Sequence, residues 1–282
     1  MTTPPTSWPE WIRSGAWRTA VDSSVPLLPA LAHEAIAVAA DADVTINRLS
    51  RVVAKDPILA TRVVQLANAA YCAPLRSVAT LSDAMVRMGT GAVRNMVIAA
   101  CLASRGRDKR IYGEHGREQI DHAIGTAYMA HLVADRGGWN PDEAFLGGLL
   151  HDVGKLLLLK LAYDWTRWHG AVVADEDIAE VLASEHAVAG ALLLRASQFP
   201  RNLIESVLWH HTPEEAPDYL SEAGVVYFAD RLSHRYGFGC AADDTPLADD
   251  PRCARLDVSE EWVESLDARA PGLYVVARQA LS

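Results

Sequence analysis

Hydrophobic residues recur at intervals of three and four along most of the chain, which is the spacing that places them on one face of an α-helix. The spacing runs through ALAHEAIAVAA and ILATRVVQLANAAY, and the second segment follows Asp56-Pro57, a pair suited to opening a helix. SDAMVRMG is predicted as a helix with Ser82 as its N-cap and Gly89 as its stop, and AVRNMVIAACLAS as the next helix. We therefore expect an all-α protein.

The same periodicity continues in the second half of the chain. REQIDHAIGTAYMAHLVADRGG is predicted as one long helix that ends at Gly137-Gly138, and PDEAFLGGLLHDVGKLLLLKL as one nearly all-apolar helix. EHAVAGALLL is expected to start another helix, LIESVLWHH to close one, and VVYFADRL to form an apolar one. The charged stretch RGRDKR, residues 105–110, interrupts the pattern and is predicted to join two helical lobes.

Three polar residues interrupt the nearly all-apolar helix: His151, Asp152 and Lys155. A buried charge is costly unless it is paired or bound to a metal, so something must compensate these side chains. One alternative is a buried Asp–Lys or Asp–His pair that only fixes the helix register, and the other is a metal site. The motif taken alone leaves both open.

Further residues of metal-binding type lie on other predicted helices. Glu118 and His122 are four positions apart, so both side chains project from one face of a helix. A single buried histidine is more often a hydrogen-bonded core residue, but five histidines with two aspartates favour a metal centre. Imidazole and carboxylate ligands suit iron, manganese, zinc or magnesium. The predicted metal ligands are Glu118, His122, His151, Asp152, His186, His210, His211 and Asp230.

Charge and composition limit the functions that the protein can have. The net charge of −10 divides into +5 for residues 1–110 and −15 for residues 111–282, and this acidity argues against non-specific nucleic-acid binding. Neither a transmembrane run nor a signal peptide is visible, so a cytoplasmic location is expected. No two of the four cysteines form a C-x-x-C pair. Their wide spacing favours reduced thiols in the core over disulfides or metal ligands.

Part of the ligand series resembles the HD superfamily of metal-dependent phosphohydrolases, which has a histidine, a later His-Asp doublet and a distant aspartate. The added histidines are similar to those of the HD-GYP branch, whose cyclic-dinucleotide phosphodiesterases also carry a glutamate where Glu118 stands and a lysine where Lys155 stands. The segment HHTPEEAPDYL lacks the D-G-x-G-Y-P signature of that branch. This absence removes the main reason to expect cyclic-di-GMP as substrate. The superfamily positions are His122, His151, Asp152 and Asp230, and the added ones are His186, His210 and His211.

The first half strongly resembles the HDOD domain. Its hallmarks are an L-P-x-L opening at residues 28–31, a D-P-x-L-x-x-x-x-L-x-x-A-N element at 56–68 and an L-G-like step at Met88-Gly89. The resemblance extends from about residue 21 to 238. It implies a bacterial signalling module, a class in which many members have lost the HD ligands, so the full set in this chain departs from the usual member.

These features divide the chain into an N-terminal arm at 1–20, an HDOD domain at 21–238, and an acidic loop and helix at 239–282. Within the domain we expect a helical lobe at 21–104, the junction at 105–110 and an HD-like metal-binding lobe at 111–238. The resemblance favours a regulatory protein with two bound ions, iron or manganese ahead of zinc or magnesium. Its partner would be a regulatory protein or a nucleotide-like ligand. The alternative is a phosphohydrolase in which Lys155 contacts the substrate phosphate or a metal-coordinated water.

Overall fold

A computed structural model describes most of the chain, and its regular secondary structure is helical, with no strand among the described residues. This confirms the all-α prediction. The predicted helix ALAHEAIAVAA and the L-P-x-L opening lie almost entirely outside the described part. The described residues are 7–19, 34, 38, 46–68, 79–217, 220–243, 247, 250–252, 256, 259–267 and 270–281.

Four described helices precede residue 107: α1 (Trp8–Arg13), α2 (Ile46–Val53), α3 (Pro57–Asn68) and α4 (Leu81–Gly106). Asp56 caps α3 as expected, because its Oδ1 accepts hydrogen bonds from the backbone N–H groups of the second and third helical residues at 2.9 and 3.1 Å.

Helix α4 begins slightly earlier than the sequence suggested. The predicted N-cap, Ser82, lies inside the helix, and Thr80 is the cap because its hydroxyl accepts the hydrogen bond from the Asp83 N–H at 3.1 Å. The predicted stop at Gly89 is present as a kink, since this glycine has a positive φ of 78° within α4. A break in helical geometry therefore separates SDAMVRMG from AVRNMVIAACLAS.

The long helix α5 (Lys109–Gly137) ends as predicted, with Gly138 in the left-handed conformation at its C-cap. The next prediction, one continuous apolar helix, is wrong. The structure has α6 (Pro141–Leu150) and α7 (Val153–His169), separated by His151 and Asp152. Both sides of the break are apolar, so no local signal marks it.

Five more α-helices and a short 3-10 helix (Pro213–Glu215) complete the described part: the α-helices are α8 (Asp175–Ala196), α9 (Arg201–Leu208), α10 (Leu220–Arg235), α11 (Glu260–Asp267) and α12 (Ala270–Leu281). His186 lies in the middle of α8 rather than at a helix start, because the helix begins eleven residues earlier at an acidic first turn. His210 and His211 follow α9 instead of closing it. Ser259 caps α11 as predicted, accepting from the Trp262 N–H at 3.2 Å.

Helix α5 is central to the packing, since α4, α6, α7, α10 and α12 all lie against it. Its residues from Ile120 to Ala130 are all buried. The N-terminal helix α1 packs against α8, and its Trp11 contacts Trp165 of α7 with ring centroids 5.5 Å apart. The charged stretch at 105–110 contains the end of α4 and the start of α5. None of the helices among the described residues is both long and apolar enough to span a membrane.

Candidate metal centre

Three helices and two segments that follow helices bring seven of the predicted ligands together. Helix α5 contributes His122, the break between α6 and α7 contributes His151 and Asp152, and α8 contributes His186. The turn after α9 contributes His210 and His211, and α10 contributes Asp230. Apart from His211, these side chains are buried. The structure thus gathers into one cluster seven residues spread over 109 positions of sequence.

Four of the histidines share one hydrogen-bonding pattern. Each ring lies with Nδ1 at 2.6 to 3.0 Å from a backbone carbonyl oxygen, and a carbonyl can only accept, so Nδ1 carries the hydrogen. The Nε2 atoms are left facing the interior of the cluster. A hydrogen bond of this kind fixes the tautomer and orientation of a metal-binding histidine. The pairs are His122 with Phe238, His151 with Gly148, His186 with Leu182 and His210 with Val207.

The carboxylate of Asp152 divides the cluster into two halves. Its Oδ2 faces His151 Nε2 at 3.3 Å and His122 Nε2 at 3.9 Å. Its Oδ1 faces His186 Nε2 at 3.2 Å and His210 Nε2 at 3.8 Å. Ligand atoms bound 2.0 to 2.3 Å from one tetrahedral ion lie about 3.3 to 3.8 Å apart, so both halves have nearly the spacing of a metal site.

Asp230 completes the first half and His211 the second. Asp230 Oδ1 lies 2.9 Å from His122 Nε2 and 3.6 Å from His151 Nε2. His211 Nε2 lies 2.8 Å from His186 Nε2, and His210 Nε2 lies 3.3 Å from the same atom. Each half contains one of the groups of described residues whose ligand atoms are close enough to share an ion: His122 with His151 and Asp152, and His186 with His210 and His211.

The protonation states differ between the halves. Burial lowers the pKa of His122 and His151, but the hydrogen bond between His122 and Asp230 and the negative charges of Asp152 and Asp230 beside both rings outweigh burial and raise the two values to about 10 and about 9. In the other half burial prevails, lowering the pKa of His186 to about 4 and that of His210 well below its usual value. The second half therefore presents neutral imidazoles, the form that binds metals.

Two buried polar atoms indicate that a cation belongs in the cluster. Among the described residues, no hydrogen-bonding partner in suitable geometry reaches Asp152 Oδ1 or His151 Nε2. Buried polar atoms are normally satisfied, and an unsatisfied one costs about 1–3 kcal/mol. A divalent ion among these imidazole and carboxylate groups would satisfy both atoms, so the residues present fit a bound metal.

The structure places the two remaining predicted residues differently. Lys155 Nζ lies 2.5 Å from Asp152 Oδ2, at the edge of the cluster. Glu118 is not brought into the cluster: its side chain is about half exposed, at 52%, and its carboxylate lies 3.7 Å from His115 Nδ1. Glu118 shares a helix face with His122, but this does not bring its carboxylate to the cluster. The loop at Gly239 packs against the backbone between the two residues.

Sequence reasoning missed two residues beside the cluster, His234 and Cys240. His234 Nε2 lies 3.6 Å from Asp230 Oδ1, and its Nδ1 lies 3.3 Å from Cys240 Sγ. His234 follows Asp230 by four positions on α10, which is a signal that the sequence contains. No spacing in the sequence links Cys240 to the predicted ligands, because only the turn after α10 brings it back toward His122.

The sequence model of the HDOD domain matches residues 25–213. Among curated proteins, Ribonuclease Y of Thermosipho melanesiensis is 34% identical over 119 residues, which are 42% of this chain and 19% of that protein. Ribonuclease Y of Fervidobacterium nodosum is 28% identical over 54% of this chain and 24% of its own length. The chain thus spans about a fifth to a quarter of these relatives.

Solved structures share the fold over nearly the whole chain. A candidate phosphohydrolase from Shewanella amazonensis SB2B has a TM-score of 0.68 at 25% identity and covers 95% of this chain and 98% of its own. A candidate metal-dependent phosphohydrolase from the same organism has a TM-score of 0.72 at 17% identity, covering 96% and 97%. An HDOD domain protein of unknown function from Geobacter sulfurreducens has a TM-score of 0.69 at 19% identity, covering 94% and 99%.

Proposed function

Because this chain belongs to the HDOD domain family, we propose that it is a bacterial regulatory protein built around an HD-type metal centre that holds two divalent ions. In this proposal the metal centre holds together the helices of the second lobe, and the protein acts by binding a regulatory protein or a nucleotide-like ligand. Occupancy of the centre would then set the relative positions of α5, α7, α8 and α10, each of which carries or adjoins a ligand.

The observation that carries the two-ion proposal is the position of Asp152. One of its oxygens faces His151 and the other faces His186, so a single carboxylate can bridge two ions. The first ion would be held by His122, His151 and Asp230, and the second by His186, His210 and His211. Only two carboxylates take part, so a doubly occupied centre keeps a net positive charge and would attract an anionic ligand.

Metal analysis tests this proposal. Purified protein examined by elemental mass spectrometry should contain about two equivalents of divalent metal per chain, since each half of the cluster offers a full ligand set. Asp152→Ala should lose most of the metal. Asp164→Ala is the matched control, because Asp164 pairs with Lys160 on the same helix, away from the cluster, and should leave the metal content unchanged. Metal-free wild-type protein would refute the proposal.

A second candidate function is metal-dependent phosphohydrolysis. It is favoured by Lys155, whose ammonium group lies at the cluster edge and whose side chain is 23% exposed, a suitable place for a cation that contacts a substrate phosphate. Bound divalent ions would supply a water of lowered pKa and polarise the phosphoryl oxygen. The phosphohydrolase likeness at 25% identity agrees with this chemistry.

Turnover assays separate the two functions. Fully metal-loaded protein would be given generic phosphodiesters and nucleotides with manganese or iron in the buffer. Hydrolysis that is lost in both His151→Ala and Lys155→Ala, but retained in Lys160→Ala, would establish the enzyme. Absence of turnover from metal-loaded protein across the panel would leave the regulatory function, which a partner captured by wild-type protein and lost on metal removal would support.

A further inference from the structure

A third group of ligand-type side chains overlaps the proposed centre at His122. It consists of His122, His234 and Cys240, whose ligand atoms lie within 4.8 Å of one another. We call these three residues the thiol cluster. His122 belongs to both the centre and the thiol cluster, and Asp230 lies between the rings of His122 and His234.

The turn that carries Cys240 is fixed against α5 by several contacts. The Phe238 carbonyl accepts the hydrogen bond from His122 Nδ1 at 3.0 Å, and the Phe238 N–H donates to the Ser233 carbonyl at 2.9 Å. The buried Phe238 ring stacks on Tyr274 with centroids 4.1 Å apart. Backbone and ring contacts thus fix Phe238, two residues before the thiol.

Two glycines permit this close approach. Gly239 has a positive φ of 68°, and a Cβ there would lie 2.3 Å from the backbone nitrogen of His122. Gly125, one turn further along α5, would place a Cβ 2.6 Å from Cβ of Phe238. Because real Cβ atoms do not approach so closely, larger residues would push the turn away and carry Cys240 away from the histidines.

From this geometry we propose that Cys240 is a thiolate ligand of the metal centre, together with His234, at the first half of the cluster. The Sγ to His234 Nδ1 distance of 3.3 Å matches the separation of about 3.3 to 3.8 Å between ligands of one ion, and one ligand atom from each of His122, His234 and Cys240 lies within 4.8 Å of the others. This inference rests on the proposed metal centre and adds a sulfur ligand to it.

A sulfur ligand changes the metal that the centre prefers. Thiolates favour softer or borderline ions such as zinc, cobalt(II) and iron(II), whereas carboxylates and water favour magnesium and manganese. Cys240 would therefore shift the first half toward zinc, cobalt or iron. The second half, with three imidazoles and one carboxylate oxygen, would have no sulfur ligand.

Cobalt substitution tests the sulfur ligand directly. Metal-free full-length protein would be loaded with Co²⁺, its cobalt content measured by elemental analysis, and its near-ultraviolet absorption recorded. A cobalt–thiolate bond gives a charge-transfer band that nitrogen and oxygen ligands do not give. We expect the band in wild type and in Cys101→Ser, whose thiol is buried in α4, and its loss in Cys240→Ser. Zinc X-ray absorption on wild type should add a metal–sulfur distance of about 2.3 Å.

The outcomes separate the two proposals. Wild-type protein that binds cobalt without the band, or a band unchanged in Cys240→Ser, would overturn the sulfur ligand and leave the metal centre intact. A chain that binds no cobalt at all would refute the metal centre and the sulfur ligand with it. The zinc measurement needs no variant, so an absence of sulfur scattering from zinc-loaded wild type would also overturn the proposal if Cys240→Ser failed to fold.

Discussion

His186 Nε2 lies 3.2 Å from Asp152 Oδ1, and neither atom presents a hydrogen to the other. His186 Nδ1 donates to the Leu182 carbonyl, and burial lowers the pKa of the ring to about 4, so its Nε2 is unprotonated at neutral pH. Two electron-pair donors therefore face each other in a buried site. A cation between them would remove their repulsion, which is the physical basis of the proposed centre.

Metal removal should lower thermal stability. An ion that binds only the folded chain stabilises it by about 2.7 kcal/mol at a hundredfold excess over its Kd, which corresponds to a Tm increase of about 5–10 °C for a chain of this size. Differential scanning calorimetry of metal-loaded and chelator-treated protein measures the change. Asp152→Asn provides the control and should show little response to metal. Equal Tm values for loaded and stripped wild type would contradict a metal held among the helices.

Metal binding should release protons at neutral pH. The pKa values of His122 and His151, about 10 and about 9 without metal, mean that both rings are protonated at pH 7.5, and metal coordination requires neutral rings. We expect release of about two protons, with metal affinity that falls as the pH is lowered. Isothermal titration calorimetry in buffers of different ionisation enthalpy measures the number. A binding enthalpy independent of the buffer would show that the rings were already neutral.

Gly154→Ala should destabilise the contact between α7 and α8. A Cβ at this position would lie 1.9 Å from the His186 carbonyl oxygen and 2.5 Å from the Gly190 nitrogen, so the helices would have to separate. We expect the free energy of unfolding to fall by about 1–3 kcal/mol and metal binding to the second half to weaken. Denaturant unfolding and metal titration measure both effects.

Gly224→Ala is the matched control for that substitution. A Cβ at Gly224, on α10, would meet its nearest neighbour, Leu256, at 3.9 Å, an ordinary contact distance. Because alanine favours helix over glycine by about 1 kcal/mol, this variant should be as stable as wild type or more stable. Equal stability of the two variants would show that Gly154 is not needed for the approach of α7 to α8.

Lys155→Ala should affect metal-free and metal-loaded protein in opposite directions. Lys155 pairs with the buried Asp152 at 2.5 Å, so its removal takes away one of the positive charges that compensate that carboxylate and should cost metal-free protein about 1–3 kcal/mol. The lysine also competes with a metal for Asp152 Oδ2, so its loss should raise metal affinity. Lys160→Ala, which breaks a pair with Asp164, should leave metal affinity unchanged. A weaker metal affinity in Lys155→Ala would contradict this role.

The sequence predicted much of this molecule because helical periodicity and capping residues are local signals. The cap at Asp56, the break at Gly89 and the end of α5 at Gly138 all follow from them. The break at His151 and Asp152 could not be found in this way, since apolar residues continue on both sides. The segment just after the break makes a long-range contact, the approach of Gly154 to α8.

In the candidate site, too, local sequence patterns identify some residues, and long-range contacts decide the position of others. Residue type and order were enough to select seven residues that the structure gathers, because imidazole and carboxylate groups on apolar helices need compensation. Glu118 was selected by helix spacing, but the turn at Gly239 occupies the space beside it. Cys240 follows α10 in a loop, and only the positive φ values at Gly237 and Gly239 turn it back toward His122.

Anomalous diffraction from crystals of metal-loaded protein is the sharpest test of a two-ion centre, because it shows both the number of ions and their positions. We expect two peaks about 3.5–4 Å apart, one on each side of the Asp152 carboxylate. The first should lie among His122, His151 and Asp230, and the second among the ligands contributed by α8 and the turn after α9. A single peak, or metal-loaded crystals with no peak at Asp152, would contradict a two-ion centre.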